Sequence, residues 1–395
     1  MVSLVHRYYL YRATLSSGFY IPVSVIYMES KGLGLADIGA VQAAFLFSMV
    51  VSELPTGYLG DRLGRRGALA FGNAVVVAVM VGFALADSTV EFAVVYAVWA
   101  VGWTFRTGTA DAWLYELLAE RGEEDEHARL TGRADSTLRL VSGTAALAAG
   151  LLYTVDPALP FLANAGLASL GLPLLWTLPA ARGAEANEEA GLGVREAANV
   201  LRTQLSRPSI RWLVAYAALF NVAFSVTRVF EQPAMRSVGV PVAGLGVLYA
   251  GFKLVSAVVS SQAGRLQDAL GTRGVLLLMV PVVGIAYASF AVVPLLLLPA
   301  LFVRRGLQRV TRPVRNEYVN DRVDDVGRAT VLSGVSMVLT LASGTANVLG
   351  GYAAEAVGAM TLLSTVGVTV AALGGLLWLV ARPVRRAVGV EAAPS

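Results

Sequence analysis

The sequence predicts an all-α membrane protein of twelve transmembrane helices in two pseudo-symmetric six-helix bundles. Three observations predict this. Apolar segments of spanning length recur along the whole chain, basic residues fall on one side of them, and one motif occurs twice at an offset of 207 residues.

Composition sets the solvent. Of 395 residues, 56% are hydrophobic and 15% charged, with mean hydropathy +0.64. An average soluble domain holds about 45–50% apolar and about 25% charged residues. The excess cannot all be hidden in a water-soluble core, so lipid must solvate much of the surface. The chain has no cysteine, which excludes disulfides, thiolate metal sites and cysteine catalysis. His6 and His127 are the only histidines and both fall in predicted cytoplasmic segments, so no histidine metal centre or triad is expected. Lysine occurs only at Lys31 and Lys253, and the other 29 basic residues are arginine. That bias fits a GC-rich prokaryotic genome, such as a haloarchaeon's or an actinobacterium's.

Twelve segments read as spans: 13–29, 37–57, 67–86, 91–118, 136–155, 158–179, 209–231, 242–263, 274–291, 293–318, 331–354 and 359–381. Each supplies the roughly 20 residues that cross about 30 Å of hydrocarbon. The first is not a cleavable signal peptide, because it carries Thr14, Ser16, Ser17 and Pro22 and lacks a small-residue cleavage site. Charges interrupt the fourth and the tenth. With the N-terminus inside, the cytoplasmic segments hold 23 Arg or Lys and the outer loops two, Lys31 and Arg236. This split places both termini in the cytoplasm of a multi-pass plasma-membrane protein. The same rule explains the pI near 9.4 without nucleic-acid binding.

The motif Gly57–Gly67 follows the second span and Gly264–Gly274 the eighth, with seven of eleven positions identical. A second match sets Ser142-Gly143-Thr144-Ala145 in the fifth span against Ser343-Gly344-Thr345-Ala346 in the eleventh, at an offset of 201. A six-plus-six duplication puts both matches where they fall. The predicted organisation is a bundle over 1–179, a cytoplasmic linker over 180–208 and a second bundle over 209–395. In the linker, Leu192, Val194, Ala198, Leu201 and Leu205 could form one face of a short surface helix.

At Gly57, Leu59, Asp61, Arg62, Gly64, Arg65 and Arg66 the chain resembles the major facilitator superfamily, whose signature after its second helix is Gly-x-Leu-x-Asp-Arg-x-Gly-Arg-Arg. The degenerate second copy with Asp268 is also a family trait. Glu53–Gly57 and Thr107–Glu116 look like a broad prokaryotic branch of unassigned substrate. The fifth span lacks a proline after Gly143, which departs from the family's drug antiporters. The resemblance implies that Asp61 meets the N-terminal end of helix eleven, near Thr330 and Arg328, and latches the halves on the inside. Arg62, Arg65 and Arg66 can pair with Glu116 or Glu120. The second copy replaces Arg62 and Arg65 with Ala269 and Thr272. The first copy is therefore expected to work as the latch and the second to pack helices.

Arg106, Arg228, Lys253, Arg304, Arg305 and Arg309 lie within spans. A lone charge at a span centre costs roughly 2.5–3.5 kcal/mol, so six facing lipid would cost on the order of 15–20 kcal/mol. They are expected to face a wet cavity or counter-ions. Arg106 lies about 21 Å into the fourth span and Arg305 about 18 Å into the tenth, by helix rise. Arg305, Arg309 and Arg312 share a face. Arg228 can pair with Glu231, and Glu53 or Asp111 can serve Lys253 or Arg106. Arg106, Lys253 and Arg305 make the cavity cationic, which favours an anionic or zwitterionic solute. Glu53 or Asp111 beside an arginine could carry a proton as access alternates.

The sequence has no phosphate-binding Gly-x-x-x-x-Gly-Lys-Ser/Thr loop and no nucleophile–base pair, so neither an ATPase nor another enzyme is expected, nor any cofactor or metal. The expected function is secondary active transport of a small solute, proton-coupled, by a monomer in the bilayer. Multidrug efflux is the rival within the class. A non-transporting membrane sensor or scaffold is the rival outside it.

Overall fold

In the computed structural model, residues 2–179, 202–204, 206–320, 328–381 and 383 are described. The expected linker helix lies almost wholly outside these residues, and the side chains of Asp61, Arg312, Arg328 and Thr330 lie outside the description too. The helices are α1 (Val2–Thr14), α2 (Ser24–Ser30), α3 (Leu35–Leu85), α4 (Thr89–Arg106), α5 (Thr109–Ala119), α6 (His127–Val155) and α7 (Leu159–Thr177) in the first half. The second half has α8 (Pro208–Ser237), α9 (Val242–Val292), α10 (Leu297–Asn320), α11 (Arg328–Val357) and α12 (Ala359–Val380). Among the described residues there is no strand.

The twelve spans map onto these helices through turns that sequence chemistry dictates. α3 holds the second and third spans and α9 the eighth and ninth. Each is kinked at one glycine, Gly64 with φ 69° and ψ 160°, and Gly271 with φ 65° and ψ 164°. Only glycine adopts this conformation at little cost. The two glycines are repeat equivalents, 207 residues apart, so the duplicated motif is also a duplicated turn. Among the described residues, eight helical stretches are long and apolar enough to cross a membrane, with Val242–Val292 counted once. The spans that miss this standard are the first, fourth and tenth. The first two are broken and the tenth carries five arginines between Arg304 and Arg315.

The continuous helix expected over 13–29 is corrected by the structure. α1 ends at Thr14, turns occupy 15–23, and α2 begins at Ser24. Ser16 draws the amide of Gly18 onto its hydroxyl at 3.1 Å, and Pro22 has no N–H to continue a helix. The fourth span is likewise not continuous over 91–118. It breaks between α4 and α5 at Thr107–Gly108, where Gly108 takes φ 78°.

Contacts divide the chain into two compact units. The first is Met1–Glu189 with Val226–Leu254 and Ser343–Leu362, and the second is Ala190–Ser225 with Val255–Ala342 and Leu363–Ser395. The first unit thus takes in the C-terminal parts of α8 and α11 and the N-terminal parts of α9 and α12. Its core is aromatic and aliphatic. Phe83 stacks on Phe161 at 4.5 Å, and Tyr8, Tyr11, Leu69, Trp113 and Leu175 pack together. In the second unit the Tyr216 hydroxyl donates to the Leu276 carbonyl, and Phe220 packs beside Gly374.

Two glycine seams join elements within the first unit. A Cβ on Gly351 of α11 would lie 2.8 Å from the Leu35 carbonyl oxygen of α3. A Cβ on Gly150 of α6 would lie 2.6 Å from the Ala243 carbonyl oxygen of α9. Gly39 meets the Asn347 carbonyl, and Gly246 meets the Ala146 carbonyl. The repeat offsets carry one seam onto the other: 207 takes Gly39 to Gly246 and Ala36 to Ala243, and 201 takes Ala146 to Asn347 and Gly150 to Gly351. Small residues let these backbones approach, which is how helices associate where lipid offers no hydrophobic drive.

At the seam of α3 and α11, the Glu355 carboxylate accepts from the Ala36 amide at 2.8 Å, at the positive N-terminal end of α3. Glu355→Ala is expected to destabilise the protein by about 1–2 kcal/mol, and Glu355→Gln by less. A thermal melt in detergent reads the difference, and equal melting of all three proteins would refute a capping role.

Candidate functional site

Arg106 ends α4, directly before the break at Gly108, and its side chain reaches the other broken span. Its Nη2 donates to the Leu15 carbonyl at 3.4 Å, the first residue past the end of α1. Tyr11 and Tyr20 are within electrostatic reach of the same guanidinium. Two helix breaks and one arginine therefore meet inside the first unit. Among the described residues no carboxylate lies within ion-pair distance of Arg106. Unwound backbone at membrane depth is tolerated where protein or a wet cavity satisfies it, and transporters place binding sites at such discontinuities.

Asp111 does not serve Arg106. It lies in the first turn of α5, where its carboxylate takes Nη1 of Arg12 at 3.4 Å. Nη2 of Arg12 pairs with Asp135 of α6. One guanidinium thus bridges two carboxylates from two helices. It sits in the last turn of α1, where a cation complements the helix dipole.

The break in the first span is filled from α8. Gln232 Oε1 accepts from the amides of Val25 at 3.0 Å and Ile26 at 3.2 Å, and Nε2 donates to the Ile21 carbonyl at 2.8 Å. Beside it Glu231, fully buried at 0% exposure, accepts from the Tyr249 hydroxyl at 2.6 Å. Tyr249 also takes a bond from Gln232 at 3.3 Å. Sequence reading missed Gln232, Arg12 and Asp135. The only available signal was Ser16-Ser17-Gly18 and Pro22 inside an apolar run, which marks a break but names no partner.

The other sequence candidates are placed as follows. Lys253 is half-buried on α9 and Glu53 exposed on α3, both in the first unit. Arg228 is exposed on α8 and within electrostatic reach of Tyr96, whose hydroxyl also accepts from Gln42 at 3.1 Å. In the second unit Arg305 is half-buried and Arg309 exposed. Among the described residues of that unit the most buried arginine is Arg304, 1% exposed, which donates to the Phe224 carbonyl at 3.2 Å.

The signature arginines split by partner. Arg65 Nε meets Glu116 Oε1 at 2.9 Å, across to α5. Arg62 lies 4.5 Å over the ring of Tyr58, and Arg66 lies 4.7 Å over that of Trp176. Gly57 has open space around it, and Asp268 of the second copy is exposed.

Residues 13–232, more than half the chain, match the family model of the Major Facilitator Superfamily. The chain belongs to the major facilitator superfamily. It is therefore a multi-pass membrane transporter and not an enzyme. An uncharacterized MFS-type transporter of Methanocaldococcus jannaschii is 31% identical over 125 residues, a stretch that spans 31% of this chain and 30% of that one. Similarity of fold extends further along this superfamily member. A mutant of the nucleoside transporter NupG superposes with TM-score 0.82 at 13% identity, covering 95% of this chain and 99% of that one. The D-xylose-proton symporter gives 0.60 at 14% identity, covering 94% and 95%. At these identities the likeness is one of fold alone.

Proposed function

We propose that this superfamily member moves a small anionic or zwitterionic solute by proton-coupled secondary transport, alternating access around the spans that hold Arg106, Lys253 and Arg305, with both termini cytoplasmic. The observation that carries the reading is Arg106, a charge within a span that rests on one backbone carbonyl at 3.4 Å and on no described carboxylate. Such a charge costs roughly 2.5–3.5 kcal/mol at the membrane centre. An anionic group on the solute would offset that cost when bound.

The pairing of Arg12 with Asp111 and Asp135 supports the coupling step. Two carboxylates share one guanidinium, so a proton taken by either leaves Arg12 to the other and loosens one helix from α1. In the same reading the Gly57–Arg66 motif closes the cytoplasmic side through Asp61, with Arg65 held by Glu116.

The test is uptake into proteoliposomes of organic anions, amino acids, sugars and lipophilic cations under an imposed pH gradient. Uptake of an anionic or zwitterionic solute is expected, with Arg106→Gln lowering it at least tenfold and Arg106→Lys retaining part. Asp111→Asn is expected to bind the solute but lose the dependence on the gradient. Transport of lipophilic cations alone would sink the substrate assignment, and full proton-driven uptake by Asp111→Asn would remove Asp111 from the coupling role.

A further inference from the structure

We infer that Arg7, Arg66 and Trp176 form a binding site for the phosphate headgroup of an anionic phospholipid. Three observations meet at the last turn of α7. Trp176 is 73% exposed at the end of a membrane-crossing helix, the level at which tryptophan marks the lipid–water interface. The Arg66 guanidinium lies 4.7 Å over its ring. At the next residue, Arg7 Nη1 donates to the Thr177 carbonyl at 3.1 Å.

The contrast with Arg65 shows why this pair is free for lipid. Arg65, one residue away, is spent on Glu116. Arg7 and Arg66 have no ion pair among the described carboxylates, and each is anchored through only part of its guanidinium. Stacking on an aromatic face leaves the N–H fork in the ring's plane direction available, and a guanidinium fork fits two phosphate oxygens. Two such forks, held at consecutive residues beside an exposed indole, present a positive, planar, hydrogen-bonding surface at headgroup depth. Arg62 over the exposed ring of Tyr58 extends the same chemistry along α3. The inference rests on the cytoplasmic placement of the Gly64 turn proposed above, where the leaflet is rich in anionic lipid.

Native mass spectrometry of the purified full chain, titrated with phosphatidylglycerol or phosphatidylcholine, tests it. The expected result is at least one phosphatidylglycerol retained at activation that strips phosphatidylcholine, and roughly a tenfold weaker retention in Arg7→Ala/Arg66→Ala. Inorganic phosphate at millimolar concentration should not displace the lipid, which separates a headgroup site from a free-anion site. Displacement by phosphate, or equal retention of both lipids by the wild type, would overturn the inference. Should the double variant fail to fold, tryptophan fluorescence of the wild type and Trp176→Phe in vesicles answers instead. Brominated phosphatidylglycerol should quench the fluorescence difference between wild type and Trp176→Phe more than brominated phosphatidylcholine does, and equal quenching would overturn the site. Solute uptake enters neither measurement, so failure here is distinct from failure of the substrate assignment.

Discussion

Gln232→Ala is expected to open the first span. The substitution strands the amides of Val25 and Ile26 and leaves the Ile21 carbonyl with only the Ser24 hydroxyl at 3.4 Å. A buried polar group left without its partner costs about 1–3 kcal/mol. The two amides together would cost about 2–6 kcal/mol. Gln232→Glu separates the two ends of the amide, because a carboxylate still accepts from Val25 and Ile26 but cannot donate to Ile21. The expected order of thermal stability is wild type, Gln232→Glu, then Gln232→Ala. The natural chain has no cysteine, so single cysteines at 21 and 25 report solvent access on a clean background. Labelling at these positions should rise at least tenfold in Gln232→Ala. Unchanged labelling and unchanged melting would show that the side chain only fills space.

Gly246→Val is expected to force α6 and α9 apart, and Gly39→Val to do the same to α3 and α11. At both positions the atom that a Cβ meets is a backbone carbonyl oxygen, which cannot rotate away as a side chain could. Overpacking of this kind costs about 1–3 kcal/mol where side chains yield, and more where the backbone must move. Because the seams are repeat equivalents, the two variants should lose similar stability. Gly143→Ala is the control, since nothing lies within 4 Å of a Cβ there. A cross-link between cysteines placed on α6 and α9 should form more slowly in Gly246→Val. A loss in Gly143→Ala as large as in Gly246→Val would remove close approach as the cause.

Much of the architecture was legible because it is written in residue type and period. Apolar runs gave the spans, arginine placement gave their expected orientation, and the matched Gly57–Gly67 and Gly264–Gly274 motifs gave the duplication that the two glycine turns repeat. The break at Gly108 was not legible, nor was the partner that fills the break at 15–23. A window of hydropathy averages Ser16, Ser17 and Gly18 into their apolar neighbours, and a helix break depends on which groups elsewhere can satisfy the freed backbone. Here that group is Gln232, more than two hundred residues on. The partner of Arg106 was obscured for a related reason. Asp111 is close in sequence, but the turn at Gly108 redirects the helix between them, and Asp111 pairs with Arg12 instead. Depth in the membrane could be counted from helix rise, while azimuth across a broken helix could not.

The two glycine seams agree in shape and disagree in charge. The offset of 201 carries Glu355 back to Thr154, whose hydroxyl turns onto the Leu151 carbonyl of its own helix. The offset of 207 carries Ala36, the donor to Glu355, to Ala243, so at the second seam position 154 offers that amide no carboxylate. One seam therefore has an ion–dipole bolt and its twin has none. Duplication supplied two identical edges, and a single carboxylate made one of them harder to part. Under an even load, the edge of α6 and α9 is expected to yield before the edge of α3 and α11. If access alternates as proposed, one carboxylate would give a duplicated backbone a preferred direction of opening.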